Sequence, residues 1–413
     1  MSIKTLQTEL KNLKDKRVLL RLDLNEEIDA RGKLVDNFRI ESALLTIRKL
    51  VKAGAKIIIA SHLGRPEGKW DKALSLKPIA ECLAECLKYK FVETEDSLPS
   101  YKIPHVILFK KPLNKRGVAK LLGDQSAHDI VMLENIRFYE GEDNNSPEFA
   151  ELLSKFADYY VNDAFSVTHH PASSIVAITK RLPSSAGPLL EKEIKSLDHV
   201  LNGNIRKPFV LVMGGIKIED KAKTLRNLSR RADKVLLGGG LANLFLCAQG
   251  YDIGKNNISK ASLAIAKELL LNLKSKLILP ADVVVLSSKS ATKGKAQAKK
   301  ITDVGITDQI FDIGPQTILS YSKELKQAGT ICWNGPLGYF EDKKFRAGTM
   351  SLAKVVGGLG KRKAYALAGG GETVAAIRLA GQLEHFDHIS TGGGAMLEYL
   401  AGEKLPGIEA LKK

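Results

Sequence analysis

The sequence predicts an α/β protein with two domains, each built on a parallel sheet. Strand-like apolar runs alternate with amphipathic segments along the whole chain, which is the pattern of parallel α/β domains. Glycine triplets at 238–240, 369–371 and 392–394 each separate an apolar run from a segment with helical spacing, as strand-to-helix bends do. The length of 413 residues exceeds what one hydrophobic core usually supports.

The strands follow in order from their apolar runs. In the first half we expect strands at 17–24, 56–61, 105–109, 129–134 and 159–165. In the second half the runs are PFVLVM, DKVLL, KLILP, DVVVL, TICW, AYALA and HIS. The breaker cluster LPSSAGP at 182–188 precedes a predicted helix, LLEKEIKSLDHVL. We therefore place a domain boundary near residue 187, with domains of residues 1–187 and 188–403.

The formal net charge of +17 allows two interpretations. One is a nucleic-acid partner, although the lysines are spread along the chain and the densest patch, 287–300, has no aromatic residue for base stacking. We expect that patch to be a solvated loop. The other interpretation is a small polyanionic substrate that a positive field attracts. Net charge by itself does not decide between them.

Composition also bears on location and on the cysteines. No apolar stretch approaches the roughly 20 residues that a bilayer span needs, and the N-terminus is charged and amphipathic, so we expect a cytoplasmic protein. Cys82, Cys86, Cys247 and Cys332 have no zinc-ligand spacing. Inert thiols are therefore favoured over a metal site.

Polar side chains stand at the ends of the predicted strands of the first half. Arg21, Asp23 and Asn25 alternate with leucines and would share one face of a strand. Structural pairing explains Arg21 as well as a functional role does, whereas Asn25, at the strand end, favours function.

Cationic and imidazole groups stand near the ends of other strands, and Arg39, in DNFRI, stands at a predicted helix start. A histidine in a tight loop is ordinarily a surface residue. The carboxyl ends of parallel strands, however, meet at one edge of a sheet, so groups from several strands would converge there. We therefore favour an anion pocket over unrelated surface positions. Its candidate residues are Arg39, His62, Arg65, Arg137, His169 and His170.

Glycines follow the strands of the second half, where bare backbone and helix N-termini suit phosphate groups. Gly214 and Gly215 lead to Lys217 and Lys221, which are four residues apart and would share one face of a helix. A bound anion would neutralise their two positive charges. Solvated surface lysines are the alternative. Glu341, beyond the WNGP turn, could accept hydrogen bonds from ribose hydroxyls.

Glu372 and Thr373 follow the second triplet in what would be the first helical turn. A hydroxyl there can bind phosphate, and a carboxylate can hold a magnesium ion that phosphates already bind. The Walker pattern is absent and no triplet extends to G-x-G-x-x-G, so nicotinamide dinucleotide binding is disfavoured. The second half therefore predicts a nucleotide site.

A series of motifs gives the chain a family resemblance over nearly its full length. In order they are RLDLN, DNFRI, SHLGRP, ENIRF, DAFSVTHH, GGIKIEDK, GGGLAN, DIGPQT, WNGPLGYFE, GGGET and STGGGAMLE. Together they resemble the phosphoglycerate kinases. The resemblance implies two doubly wound, Rossmann-like parallel-sheet domains joined by a hinge helix. The N-terminal domain would bind 3-phosphoglycerate and the C-terminal domain the nucleotide.

The implied reaction is reversible transfer of the acyl phosphate of 1,3-bisphosphoglycerate to ADP, giving 3-phosphoglycerate and ATP, with Mg²⁺ and closure of the hinge. A monomer, no nucleic-acid or membrane partner, and a tail at 404–413 that packs back on the first domain are also implied. No residue need act as a base, because the acceptor oxygens are already anionic.

The resemblance also implies roles for individual residues. Catalysis would involve Arg39, Lys217, Gly371 and Gly394. 3-Phosphoglycerate would contact Asp23, Asn25, Arg39, His62, Arg65, Arg137 and His170. The nucleotide would contact Gly215, Lys217, Lys221, Gly239, Asn334, Glu341, Gly370, Gly371, Glu372 and Thr373, with Glu372 also holding the metal.

The chain departs from the family pattern at three places. His170 stands where the family has arginine, and Ala172 replaces a family histidine. If His170 binds the substrate as an imidazolium, affinity for 3-phosphoglycerate should fall as the pH rises from about 6 to 8. An affinity that does not change with pH over this range would refute this. Glu372 replaces the usual aspartate, which would shift the magnesium geometry. Glu26 and Glu27 replace an apolar–proline pair, and the sequence suggests no function for them.

Two other functions remain as alternatives. His170 and Glu372 could mark a relative that acts on another phosphorylated acid or only binds it, although retention of Arg39, Lys217 and Thr373 argues against loss of activity. RNA or DNA binding through the positive charge would give a gel shift with a steep salt dependence.

Overall fold

The structure, a computed structural model, describes residues 3–94, 103–110, 113, 125–273, 275–287 and 294–412. The chain divides into two compact units, Met1–Ile194 with Lys404–Lys413, and Lys195–Glu403. The division lies inside the helix Pro188–Leu201, beyond the predicted position at residue 187. The start of that helix belongs to the first unit because the Leu190 N–H donates to Asp163 Oδ1 (3.0 Å) and Leu190 is fully buried.

The first unit contains a parallel sheet of seven strands. Their bounds are β1 Arg17–Arg21, β2 Lys56–Ala60, β3 Lys90–Thr94, β4 His105–Phe109, β5 Ile130–Leu133, β6 Tyr159–Asn162 and β7 Ser184–Ala186. They lie in the order β3-β4-β5-β2-β1-β6-β7, and each neighbouring pair is parallel.

Helices cover both faces of this sheet. They are α1 Leu6–Glu9, α2 Phe38–Lys52, α3 Lys77–Leu87, α4 Glu140–Asp143, α5 Pro147–Ser154 and α6 Pro188–Leu201. Successive side chains of a strand point to opposite faces. Val18 and Leu20 of β1 accordingly pack in the buried cluster of α2 and α3, whereas Leu19 packs in the cluster that contains α5. The unit is therefore doubly wound, as predicted.

The second unit contains a parallel sheet of six strands. Their bounds are β8 Phe209–Met213, β9 Lys234–Leu237, β10 Leu277–Ile278, β14 Thr330–Asn334, β15 Tyr365–Gly369 and β16 His388–Ser390. The order is β10-β9-β8-β14-β15-β16, again with parallel neighbours. The remaining helices of this unit are α7 Ala222–Ser229, α8 Gly239–Ala248, α9 Lys260–Leu273, α10 Pro315–Gln327, α11 Ala347–Lys363, α12 Gly371–Leu379 and α13 Gly393–Leu400.

A separate antiparallel sheet in the second unit corrects two predictions. Its strands are β11 Asp282–Ser287, β12 Ala296–Lys300 and β13 Asp308–Ile313, in the order β12-β11-β13. The DVVVL run therefore lies in an antiparallel sheet and not in the parallel one. The 287–300 patch is not a loop throughout, because residues 296–300 form an edge strand, while 288–293 lie outside the described residues. Strand β12 escaped prediction because its sequence, AQAKK, is mostly polar and exposed.

Strands β3 and β7 were also missed. Strand β7 lies within the supposed breaker cluster, where Ser184 and Ser185 pair with β6 and are buried. Small polar residues at a sheet edge give no apolar run, so the prediction of an irregular segment was wrong there. In the described part of the chain, no helix combines the length and the apolar character that crossing a bilayer requires.

The C-terminal tail belongs to the first unit. It contains α14 Pro406–Glu409, flanked by the buried residues Leu405 and Leu411. The Gly407 N–H donates to the Thr168 carbonyl at 2.8 Å. A side chain at Gly407 would overlap Ile175 and Thr168, so glycine permits this close approach.

Candidate functional sites

In the first unit, polar groups collect where β1 ends and α2 begins. Strand β1 ends at Arg21, so Asp23 and Asn25 do not share a strand face with it, contrary to the prediction. The chain turns away from the sheet because the Leu24 N–H donates to the Ser61 hydroxyl (3.0 Å) and the Asn25 N–H to Asp23 Oδ1 (3.1 Å). These side-chain acceptors replace the backbone partners of a strand.

Arg39 lies in the first turn of α2, as predicted, and its guanidinium forms an ion pair with Asp23. The Ser166 hydroxyl donates to the same carboxylate. Burial alone would raise the pKa of Asp23, but the positive charge of Arg39 and these hydrogen bonds lower it to about 2. Asp23 is therefore ionised at neutral pH and orients Arg39 before any substrate arrives.

Arg21 and His62 form a buried pair beside Asp23. Arg21 Nε donates to the Ser174 hydroxyl (2.9 Å), and Arg21 Nη2 lies 3.3 Å from His62 Nδ1. Burial lowers the pKa of His62 well below its usual value, although the charge of Asp23 opposes this. A guanidinium can only donate, so Nδ1 accepts and the neutral imidazole carries its proton on Nε2. His62 thus offers a hydrogen-bond donor and not a positive charge.

The loop after β2 is held by side chains from other strand ends. Asn25 Oδ1 accepts from the Gly64 N–H at 2.9 Å, and Arg137 Nη1 donates to the Gly64 carbonyl at 3.0 Å. The neighbouring Arg65 side chain is exposed. Four residues that follow strand ends therefore surround this loop or lie in it, as the convergence of parallel strands predicts. They are Asn25, His62, Arg65 and Arg137. Arg39 joins them from the first turn of α2 through Asp23.

Asp143 is a residue of this site that sequence reasoning missed. Its Oδ1 lies 3.2 Å from Arg137 Nε and 3.6 Å from His170 Nε2. His170 therefore joins the cluster through an acidic neighbour. The signal that could have found Asp143 is the acidic run GED, which closely follows the ENIRF motif.

In the second unit, glycine bends from neighbouring strands meet at the carboxyl edge of the parallel sheet. The Gly215 N–H donates to the Pro336 carbonyl (2.8 Å), and the Gly239 N–H donates to the Leu337 carbonyl (2.8 Å). Gly215 has φ +86° and Gly239 has φ +61°, which other residues rarely adopt. A side chain at Gly239 would also press on the Gly215 backbone. The bends after β8, β9 and β14 thus form one continuous backbone surface.

Asn334 and Thr373 connect this surface to the bend after β15. Asn334 Nδ2 donates to the Gly369 carbonyl at 2.8 Å, and Thr373 Oγ1 accepts from the Gly335 N–H at 2.7 Å. Thr373 is fully buried. A hydroxyl that accepts one hydrogen bond still has its own proton to donate. Thr373 can therefore hold the turn and contact a ligand at once.

Lys217 and Lys221 do not share a helical face, contrary to the prediction. Helix α7 begins only at Ala222, with Lys221 as its N-cap residue, and Lys217 lies before the turn that leads into the helix. The chain turns there because Gly215 has positive φ and the Lys221 N–H bonds the Ile218 carbonyl (2.9 Å). Burial lowers the pKa of Lys221, opposed by the charges of Asp220 and Glu372.

A cavity of about 570 Å³ adjoins these bends, a size typical of small-ligand sites. Its lining brings together Gly215, Lys217, Gly239, Glu341 and Glu372. The other predicted nucleotide residues are not part of that lining. They are Lys221, Asn334, Gly370, Gly371 and Thr373, together with Gly394 in the first turn of α13.

The donors in this cavity suit one kind of magnesium site. Glu372 is exposed at the start of α12. Among the described residues, no group of three or more acidic, histidine or cysteine side chains could hold an ion unaided. Magnesium commonly takes one or two carboxylates together with substrate phosphates. The exposed carboxylate of Glu372 fits that mode, in which phosphate groups and water would supply most of the ligands.

The chain is similar to known proteins over nearly its whole length. The sequence pattern of the family described as phosphoglycerate kinase matches residues 8–403. The chain is 41% identical over 402 residues to a phosphoglycerate kinase of Coprothermobacter proteolyticus, covering 97% of this chain and 96% of that protein. It is 39% identical over 400 residues to one of Chloroflexus aggregans, covering 96% of each.

Solved structures are similar over the same length. A phosphoglycerate kinase from Coxiella burnetii aligns with a TM-score of 0.81 and 37% identity over 99% of both chains. One from Pyrococcus horikoshii OT3 aligns with a TM-score of 0.84 and 32% identity over 99% of this chain and 98% of that one.

Proposed function

The chain belongs to the phosphoglycerate kinase family, and from this premise we propose which of its residues carry out the reversible transfer of the acyl phosphate of 1,3-bisphosphoglycerate to ADP. The observation that carries the assignment is the cavity in which Lys217, Glu341 and Glu372 adjoin bare glycine backbone. Such a combination suits a nucleotide, because amide N–H groups and an ammonium bind phosphate while carboxylates bind ribose and metal.

On the glycerate side, Arg39 and Arg137 supply positive charge, with Arg65 as a third, exposed cation. His62 supplies a neutral N–H donor. Asp23 holds the Arg39 guanidinium in one orientation, and Asn25 holds the loop that carries His62 and Arg65. We assign 3-phosphoglycerate to this cluster because carboxylate and phosphate groups both match guanidinium donors. His170 joins this cluster through Asp143, whose Oδ1 lies 3.6 Å from His170 Nε2.

On the nucleotide side, we assign the phosphates to Lys217, Lys221, Thr373 and the N–H groups of the glycine bends. Glu341 lines the cavity and takes the ribose hydroxyls. Gly239 leaves room for the base against backbone, because any side chain there would press on Gly215. Gly370, Gly371 and Gly394 leave backbone exposed to phosphate at the starts of α12 and α13.

The chemistry asks little of the protein beyond position and charge. The acceptor is a carboxylate or a phosphate oxygen, and both are anionic at neutral pH, so no general base is needed. Lys217 neutralises the negative charge of the phosphoryl group during its transfer. Arg39 approaches that group from the glycerate side of the site. Holding two reactants in line can supply about 7–11 kcal/mol of the barrier. The two ligands are assigned to different units, so the proposal includes a hinge movement that lets them react.

A magnesium ion bound with the nucleotide would neutralise phosphate charge and fix phosphate geometry. Glu372 is the residue of this chain that would hold it, through one carboxylate and in part through water. A cytoplasmic location and a monomeric state stay predictions.

The proposal is tested by ATP-dependent phosphorylation of 3-phosphoglycerate with the purified protein, in an assay coupled to consumption of the acyl phosphate. Lys217→Met should lower kcat by about 10²- to 10³-fold, as the loss of one charge-stabilising donor does. Lys223→Met is the matched control, because Lys223 is 71% exposed and pairs with Glu403 on the surface. No turnover by the folded wild-type protein, or equal losses in both variants, would contradict the assignment.

A further inference from the structure

Glu26 lies at the start of α2 and takes no part in the roles assigned above. Its Oε1 accepts from the Arg39 N–H at 2.5 Å and from the Ile40 N–H at 3.4 Å. The first N–H groups of a helix have no partner within the helix and need an external acceptor. The ordinary acceptor is the side chain of the N-cap residue. Here that residue is Asn37, whose side chain makes no capping bond.

The segment that follows β1 contacts both the side chain and the backbone of Arg39. Asp23 binds the guanidinium and Glu26 binds the backbone N–H, and both acids lie in the few residues that follow β1. A third acid, Asp36, accepts from the Phe38 N–H at 3.0 Å. Glu26 therefore fixes the backbone of Arg39, and Asp23 fixes its side chain.

The burial of Glu26 indicates that this contact is specific. Glu26 is 8% exposed, and a buried carboxylate is stable only with hydrogen-bond donors or a positive charge nearby. Burial raises its pKa, while the Arg39 N–H and the Arg39 charge oppose that rise. The neighbouring Glu27 is exposed, so the two adjacent acids differ in environment.

We propose that Glu26 is a positioning residue for the phosphotransfer reaction, acting through the first turn of α2 to hold Arg39 where it meets the substrate. The inference rests on the proposed role of Arg39. A loose helix start would let the guanidinium shift, and displacement of a catalytic group by about 1 Å can reduce the rate by 10²-fold.

The first test does not depend on activity. Amide hydrogen exchange of Arg39 and Ile40 is measured in the free wild-type protein and in Glu26→Ala, Glu26→Gln and the control Glu27→Ala. Loss of a capping acceptor should speed exchange at these two amides about tenfold in Glu26→Ala. Glu26→Gln should stay near wild type, because the amide keeps an oxygen at the same reach. Unchanged exchange in Glu26→Ala would overturn the capping role.

The second test asks whether capping matters for the reaction. In the coupled assay, Glu26→Ala should reduce kcat/KM for 3-phosphoglycerate about tenfold, with the KM for ATP unchanged, and Glu26→Gln should restore it. Should Glu26→Ala fail to fold, Glu26→Asp replaces it, since its carboxylate falls about 1.5 Å short of the Arg39 N–H. Equal losses for both substrates, or a loss as large in Glu27→Ala, would contradict positioning.

The two tests separate failure of this inference from failure of the proposed function. A wild-type protein that does not phosphorylate 3-phosphoglycerate refutes the function, and the exchange result then still decides whether Glu26 caps α2. An active wild-type protein whose Glu26→Ala variant keeps full kcat/KM refutes the positioning role alone.

Discussion

Replacing Thr373 by valine tests how one hydroxyl serves both the fold and the nucleotide. Thr373 Oγ1 accepts from the Gly335 N–H at 2.7 Å, and the side chain is fully buried. Valine has nearly the same shape but no acceptor, so the Gly335 N–H is left unsatisfied in the interior. That should lower the free energy of unfolding by about 1–3 kcal/mol. If the hydroxyl proton also contacts phosphate, losing that contact to a charged group should weaken ADP binding by about 10- to 100-fold.

Thr349 provides a matched control within the same turn. Its Oγ1 accepts from the Leu337 N–H at 3.0 Å, and it is also fully buried. Thr349→Val should therefore loosen the turn and lower stability by a similar amount. Thr349 lies in α11 and has no assigned phosphate contact, whereas Thr373 lies in the first turn of α12 beside Glu372, which lines the cavity. The difference between the two variants isolates the phosphate contact.

Stability is measured by urea unfolding and ADP affinity by titration calorimetry, on both valine variants and on Thr373→Ser. Serine restores the hydroxyl and should recover most of the ADP affinity. Two results would refute the reasoning. One is a Thr373→Val variant as stable as wild type, and the other is a loss of ADP affinity no larger in Thr373→Val than in Thr349→Val.

Three further predictions follow from the charged groups. Burial raises the pKa of Asp163 to about 6 and of Asp312 to about 7, so their ionisation opposes folding and the free energy of unfolding should fall as pH rises from about 4 to 7. Urea unfolding at pH 5 and 8 measures this, and Asp163→Asn should reduce the drop. Asp23→Asn releases Arg39 and should raise the KM for 3-phosphoglycerate about tenfold, while ADP affinity, measured by calorimetry, stays the same. Asp143→Asn releases the Arg137 guanidinium and should weaken 3-phosphoglycerate binding, measured by calorimetry, because binding must then order that side chain; unchanged or tighter binding would contradict this.

The parallel sheets could be predicted because their strands are buried on both faces. Such strands are continuous apolar runs, as in KIIIA and FVLVM, and most of their bounds were found to within a residue or two. Strands β3, β7, β12 and β13 were missed because they carry polar or exposed residues. Their pairing is a tertiary contact between distant segments, which local periodicity does not report.

The candidate sites were predicted in part for a similar reason. His62, Arg137 and the glycine bends follow strand ends, and the topology of parallel sheets brings such ends together. The prediction that Lys217 and Lys221 share a helical face was wrong, because the positive φ of Gly215 and the turn at Ile218 delay the start of α7. Nothing in the spacing of lysines reveals where a helix begins when its N-cap residue is itself a lysine.

The acids of the first unit are the part that sequence patterns hid, and they change how the basic cluster acts. Asp23 holds Arg39, Asp143 holds Arg137, and the charge of Glu142 faces the buried Arg21. These three arginines each have an acidic neighbour, while Arg65 is exposed, so the cluster presents less unbalanced charge than its arginines suggest. Its advantage for an anionic substrate is that the guanidinium groups are already oriented, which reduces the ordering that binding requires. Specific recognition of the substrate should therefore depend more on these acids than on the net charge of the chain.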